Sequence, residues 1–213
     1  LGNPHRQGRY VHVGGTNGKG STTAMLSAVL QAADHGPVGL YTSPHLKSFT
    51  ERMRVDGQQV PQDWVVRWVA QQEALIERLQ PSFFELTTAM AFCWFAEQQT
   101  RINVIEVGMG GRLDSTNVIT PEVAVVTNIG WDHAQYLGGT LAKIAGEKAG
   151  IFKAGVPAVV GERHPETDAV FTARAAALGV PLTFAQDHYE AAFASDSPLG
   201  QELVVIRDGL PSL

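Results

Sequence analysis

Cysteine is almost missing from this chain. The single residue, Cys93, cannot close an internal disulfide, and its place beside Trp94 in an apolar run makes it core filler, so a reducing, cytoplasmic setting is expected. Charge is scarce as well: 17% of residues, with 16 Lys and Arg against 21 Asp and Glu for a net of −5. There is no basic field to hold nucleic acid or an anionic membrane, and any phosphate binding must be local. Long apolar runs are absent too. The longest uncharged apolar stretch, 86–96, falls far short of the roughly 20 residues that cross a bilayer, and no signal peptide opens the sequence. Low charge does not mean disorder here, because 44% of residues are hydrophobic; the 22 Gly and 11 Pro follow no period, which excludes a collagen-like chain. A length of 213 residues suits one generous α/β domain spanning 1–213. The start at Leu1 without methionine and the stop at Leu213, just after an apparent strand, lead us to expect trimming at both ends.

What is present is an alternation of β-branched apolar runs with helical periodicity, the pattern of a mostly parallel sheet flanked by helices. Strands are expected over Arg9–Gly14, Val38–Thr42, Ile102–Val107, Val123–Asn128, Val156–Gly161 and Pro181–Phe184. One helical stripe runs through Thr22, Met25, Leu26, Val29, Leu30 and Ala33. Another follows Pro61 through Trp64, Val65, Trp68, Leu75, Ile76 and Leu79, with both tryptophans read as core. Residues 84–96 suit a buried helix, and Val170, Phe171, Ala177 and Leu178 mark a further one. Asp56-Gly57 sits at a hairpin-type turn within 52–60, and Glu202–Ile206 reads as a last strand, a small antiparallel element near the C-terminus.

The strongest chemical signal is Gly14-Gly15-Thr16-Asn17-Gly18-Lys19-Gly20-Ser21-Thr22, which follows a strand and opens a helix. Small residues let the backbone N–H groups and the helix N-terminus face phosphate oxygens, Lys19 neutralises charge, and a hydroxyl can reach Mg²⁺. The spacing departs from the common phosphate loop, with three residues between Gly14 and Gly18 instead of four, and Gly20 between Lys19 and Ser21.

In an open parallel sheet ligands bind beyond the carboxyl ends of the strands. That edge collects the phosphate loop, Ser43-Pro44-His45, 106–117 and 128–133. Glu106 ends a hydrophobic strand, the position of a Mg²⁺ ligand or water positioner, or else of a carboxylate satisfied by backbone or by Arg112. His133 could meet metal or phosphate or be a hydrogen-bonded structural histidine, and Ser43 could ligate or merely cap a turn. Lys148 falls on the apolar face set by Leu141, Ile144 and Ala145. Burial there favours either a neutral amine able to form a carbamate or a partner for an acid such as Glu106. His5, His12, His35, His45, His164 and His188 show no metal-ligand spacing and read as surface or strand-end residues.

The motifs at 15–21, 41–46, 51–55, 106–117, Asp132-His133 and 146–151 together resemble the folylpolyglutamate synthase/dihydrofolate synthase family of the Mur ligase group, whose own phosphate loop shares these departures. The resemblance implies a P-loop NTPase-like domain, the Mur ligase central domain, of an ATP-dependent amide ligase. Such an enzyme joins L-glutamate to dihydropteroate or folate through an acyl phosphate in folate and one-carbon metabolism. It implies that Thr16, Asn17, Gly18, Lys19, Gly20, Ser21 and Thr22 hold ATP. Ser43 and Glu106 would then hold one Mg²⁺ and His133 a second, with Lys148 carbamylated, so that Lys19, Glu106, His133 and Lys148 form the catalytic set. A pterin pocket would draw on Ser82, Phe83, Phe84 and Glu85 and on Leu113, Asp114 and Ser115, with Phe84 stacking on the ring. The family also carries a helical segment before the first strand and a second α/β domain after about residue 210, both outside this chain, and works as a monomer. A Mur-type peptidoglycan ligase and a catalytically inactive nucleotide-binding fragment are the alternative readings.

Overall fold

The computed structural model describes residues 1–131, 138–197 and 200–212. Eight strands form one sheet in the order β4-β3-β2-β5-β1-β6-β7-β8: β1 Arg9–Gly14, β2 Val38–Tyr41, β3 Met53–Val55, β4 Gln58–Gln59, β5 Ile102–Glu106, β6 Val123–Val126, β7 Ala158–Val160 and β8 Leu182–Phe184. The six from β2 to β8 pair in parallel, while β3 and β4 add an antiparallel hairpin at one edge, turned at Asp56-Gly57. The expected strands are therefore present, some shorter than their apolar runs. Pro157 explains one trimmed end, since it has no N–H to give to a ladder. A separate antiparallel sheet holds β9 Tyr189–Ser197, β10 Gly200–Arg207 and β11 Leu210–Ser212, of which the sequence pattern signals only β10.

Among the described residues five α-helices connect the strands: α1 Lys19–Ala32, α2 Gln62–Leu79, α3 Phe83–Glu97, α4 Leu141–Lys148 and α5 Asp168–Leu178. Their ends have local causes. Pro61 caps α2, and Gln80 closes it in the left-handed region before Pro81. Ser82 and Glu85 form a reciprocal capping box that starts α3. Thr140 caps α4, and Gly179 ends α5 at φ +64°. None of the described helices is long and apolar enough to cross a membrane.

Trp64, Trp68, Trp94, Phe92, Phe95, Tyr10 and Tyr41 form the core under α2 and α3, with the Trp64 and Trp94 rings 4.8 Å apart. Cys93 is half-buried against this cluster. Phe152, Phe171, Ala145 and Val160 fill a second cluster beneath α4 and α5. The third, on the α1 side, departs from expectation. Met25 and Val29 are 61% and 64% exposed, and the inward residues are Thr23 and Ser27 beside half-buried Leu26 and Leu30. The helix begins three residues earlier than its apolar stripe, and Thr23 answers its polarity by donating to the Gly20 carbonyl at 2.9 Å.

His12 also corrects a sequence reading. It lies in the middle of β1, fully buried, with its ring held to Thr116 at 2.8 Å. Burial first, and the Lys153 charge second, push its pKa down to about 3, so the folded protein holds it neutral. Unfolded, the same ring titrates near 6.5. Between the two values the unfolded chain binds the extra proton, so stability rises with pH and is lost on acidification below about 6.5, at up to about 1.4 kcal/mol per pH unit. Urea midpoints measured from pH 7 to pH 4 should therefore fall more steeply for the wild type than for His12→Gln; parallel curves would remove His12 from the acid sensitivity.

Candidate active site

Because β1, β2, β5 and β6 run parallel and adjacent, the segments that follow them share one edge of the sheet. The strand order reverses around β1, and its carboxyl end is the switch point where open sheets leave a crevice. The loop after β1 is fastened there by the segment after β6. Thr16 N–H donates to the Asn128 carbonyl at 2.9 Å, and Asn17 N–H to Asn128 Oδ1 at 3.0 Å. Thr127 Oγ1 donates to the Asn17 carbonyl at 2.6 Å, and Gly130 N–H to Thr16 Oγ1 at 3.0 Å. Gly15 makes the fit possible: its φ is +140°, and a Cβ there would lie 1.8 Å from Thr127 Oγ1.

Gly18, at φ +77°, starts α1 without a side-chain cap, so the N–H groups of the first turn remain directed at the crevice. Lys19 Nζ folds back over the loop to the carbonyls of Gly15 and Thr16 at 3.1 and 3.0 Å. Ser21 is exposed and Thr22 half-buried on that same first turn. Such an arrangement can cradle a polyphosphate: donors along the backbone, the positive end of a helix, and one ammonium.

Glu106 closes the other side. Its Oε2 accepts the Ser43 N–H at 2.9 Å, and both carboxylate oxygens lie alongside Gly20, at the start of α1. Burial raises its pKa, while the Ser43 N–H and the charges of Lys19 and Arg52 pull it back. The structure thus ties Glu106 to the Ser43 backbone rather than to Arg112, which instead pairs with Glu147. The buried Lys148, 3% exposed, donates from Nζ to the Gly15 carbonyl at 2.7 Å. His133 lies outside the described residues. Among the described residues only Oε2 of Glu106 accepts a hydrogen bond, and carboxylate plus phosphate oxygens is how Mg²⁺ is commonly held, so the donor set fits that ion.

Next to Glu106 opens a cavity of about 620 Å³, lined by Ser43, Pro44, Arg52, Phe84, the loop 108–115 and Glu147. Phe84 rests on the Gly108 backbone so closely that a Cβ there would lie 2.3 Å from the ring. Phe83 is 58% exposed, beneath the Arg52 guanidinium at 5.3 Å. Ser82 and Glu85 form the α3 capping box and do not line this cavity. Leu113, Asp114 and Ser115 line this cavity and also a second one of about 710 Å³ that reaches Pro4, Leu75 and Phe92. The sequence reading missed Arg52 as a site residue. It is buried, donates from Nε to His45 Nδ1 at 2.8 Å, and lines the same cavity. The signal was an arginine directly before the apolar Met53 of a strand.

The family of Mur ligase middle domains matches this chain over residues 13–203. The chain belongs to that family. This Mur ligase middle domain is 46% identical over 186 residues to the folylpolyglutamate synthase of Lacticaseibacillus casei, covering 84% of this chain and 43% of that protein. It is 44% identical over 173 residues to the dihydrofolate synthase/folylpolyglutamate synthase of Bacillus subtilis, 78% of this chain and 40% of that protein. The chain therefore spans less than half of the curated relatives it matches. Among solved structures, an FPGS–AMPPCP–folate complex superposes with a TM-score of 0.89 at 42% identity, covering 99% of this chain and 53% of that one. Escherichia coli FolC with DHPP and ADP gives 0.83 at 36% identity, covering 96% and 47%.

The packing of Gly15 on Thr127 supplies a test. Gly15→Ala should cost about 1–3 kcal/mol through overpacking, read as a lower urea midpoint. Gly146→Ala, whose added Cβ meets nothing within 4 Å on an exposed turn of α4, should hold or raise the midpoint. Equal midpoints for the two variants would contradict the close approach.

Proposed function

We propose that this chain is the nucleotide-binding domain of an ATP-dependent amide ligase that joins L-glutamate to dihydropteroate or folate. The observation that carries the reading is the convergence, on one sheet edge, of a polyphosphate cradle, the carboxylate of Glu106 and an aromatic-walled cavity of about 620 Å³. A phosphate donor and a carboxylate acceptor bound in these two compartments would meet beside Glu106. The names of the relatives, folylpolyglutamate and dihydrofolate synthases, support folate over a peptidoglycan substrate.

The chemistry is an in-line transfer. The pteroate carboxylate oxygen attacks the γ-phosphorus, ADP leaves, and an acyl phosphate forms; the glutamate amine then adds to the acyl carbon, loses a proton, and phosphate departs. Mg²⁺ would be held by Glu106 with the Ser43 segment, and supplies charge neutralisation on the phosphate oxygens. The rest is done by the chain. Lys19 exchanges its two carbonyl partners for phosphate oxygens, and the α1 N–H groups take the charge that develops during transfer. Phe84 offers its ring to the pterin, and Arg52 presents a fixed cation at the cavity wall. His133 as a second metal ligand belongs to the same reading, as do a cytoplasmic location and a monomeric full-length enzyme.

Lys148 is read as carbamylated. The carbamate would form when the deprotonated amine adds to CO₂ and loses one proton, and the remaining N–H could keep the bond to the Gly15 carbonyl. With ¹³C-labelled bicarbonate the full-length protein should give a carbamate carbon resonance that Lys148→Ala lacks. The absence of that resonance from the wild type would end this part of the reading.

In the full-length enzyme, Lys19→Ala should abolish ATP- and glutamate-dependent conversion of dihydropteroate. Phe84→Ala should raise the KM for the pteroate substrate about tenfold or more while that for ATP moves less than about twofold. Turnover by Lys19→Ala at the wild-type rate would sink the phosphate-loop assignment, and equal shifts in both KM values would mean that losing Phe84 collapses the core.

A further inference from the structure

A buried hydrogen-bond chain runs from the centre of the sheet to the wall of the substrate cavity. His12 is fully buried on β1, and its Nε2 lies 2.8 Å from Thr116 Oγ1, itself fully buried. Thr116 Oγ1 in turn donates to Asp114 Oδ1, which also accepts the Thr116 N–H at 3.0 Å. The other carboxylate oxygen, Oδ2, accepts the Met109 N–H at 2.9 Å. Counting protons fixes the direction. A threonine hydroxyl has one proton, and a carboxylate can only accept, so Thr116 must receive its second bond from His12. His12 is therefore the Nε2–H tautomer. Nδ1 is left as a bare acceptor, and it has no hydrogen-bond partner among the described residues.

The ring is poorly placed to do anything else. Lys153 raises the cost of charging it, and the Lys153 ammonium is itself directed to the Asn117 carbonyl at 3.1 Å. What the chain controls is the loop 108–115. Asp114 staples the Met109 and Thr116 amides from inside that loop, and Leu113, Asp114 and Ser115 form the partition between the two cavities. We infer that His12 is a positioning residue for the pteroate pocket: through Thr116 it fixes the rotamer of Asp114 and thereby the shape of the 109–115 wall. The functional half of this inference rests on the pteroate reading above; the structural half does not.

Two measurements separate the halves. Long-range ¹H–¹⁵N spectra of the labelled chain should show a histidine in the Nε2–H form that disappears in His12→Gln. Amide exchange should then locate the effect: His12→Leu should speed exchange at Met109 and Thr116 by about tenfold or more, the loss expected for one broken bond. Amides of β6 and β7 should stay at wild-type rates. His12→Gln, whose side-chain amide can still donate to Thr116, should stay within about threefold of wild type. Thr116→Val breaks the same link from the other end and should match His12→Leu, which keeps the test open if the leucine variant does not fold. In the full-length enzyme His12→Leu or Thr116→Val should raise the KM for the pteroate substrate about tenfold while leaving that for ATP nearly unchanged, and His12→Gln should restore it.

An Nδ1–H tautomer, or wild-type exchange at Met109 in both broken variants, would overturn the relay. Faster exchange at Met109 with KM values that move together for both substrates would overturn the positioning role. A wild-type enzyme inert toward pteroate would overturn the functional reading instead, with the exchange data still deciding the relay.

Discussion

The phosphate loop keeps its shape because of a contact made by the neighbouring strand. Thr127, the first residue beyond β6, gives its N–H to the Gly14 carbonyl at 3.0 Å and its hydroxyl to the Asn17 carbonyl at 2.6 Å, while its side chain occupies the space a Cβ on residue 15 would need. The loop is thus defined from outside, by a residue 110 positions later in the chain. Everything at the edge inherits this constraint. Lys19 folds over the carbonyls that the loop presents, and Lys148 donates to the same Gly15 carbonyl. The backbone donors of the loop are thus held in place before any ligand arrives, as in preorganised sites, and only the Lys19 ammonium would have to change partners.

Charge at the edge is arranged with similar economy. The described residues place the buried Glu106 within the influence of two cations, Lys19 and Arg52, each of which has its own fixed neighbour: the loop carbonyls for one, His45 for the other. Burial favours the protonated carboxyl and the two cations favour the ionised one. Such opposition keeps a carboxylate responsive to an arriving cation or phosphate, whereas a directly paired one would already be committed.

Much of the fold was legible in the sequence because buried parallel strands are apolar on both faces, and β1 was read to the residue. The edge was legible for the same reason, since the chain emerges there after each run. Other features were hidden by chemistry that leaves no period. The α1 stripe misled because Thr23 and Ser27 face inward, their polarity answered by the helix backbone or by a neighbouring side chain, while Met25 and Val29 face out. Ser82 and Glu85 carry an equally good capping signal, and the structure shows them in that capping role. His12 lies inside β1 and Arg52 directly before β3, and a buried polar residue announces nothing until its partner is known. Thr116 is 104 positions from His12. Asp132-His133 falls outside the described residues, so its place at the edge rests on sequence alone.

Residues 113–115 are shared by two chambers, one beside Glu106 and one reaching toward the first residues of the chain. A dividing wall one segment thick cannot be altered on one face only. A shift of that segment changes the volume of both compartments at once, with opposite sign. Selection acting on the occupant of either chamber is therefore exerted on the other. Change confined to a single chamber has to come from residues that line that chamber alone, such as Glu147 on one side and Pro4 or Leu75 on the other.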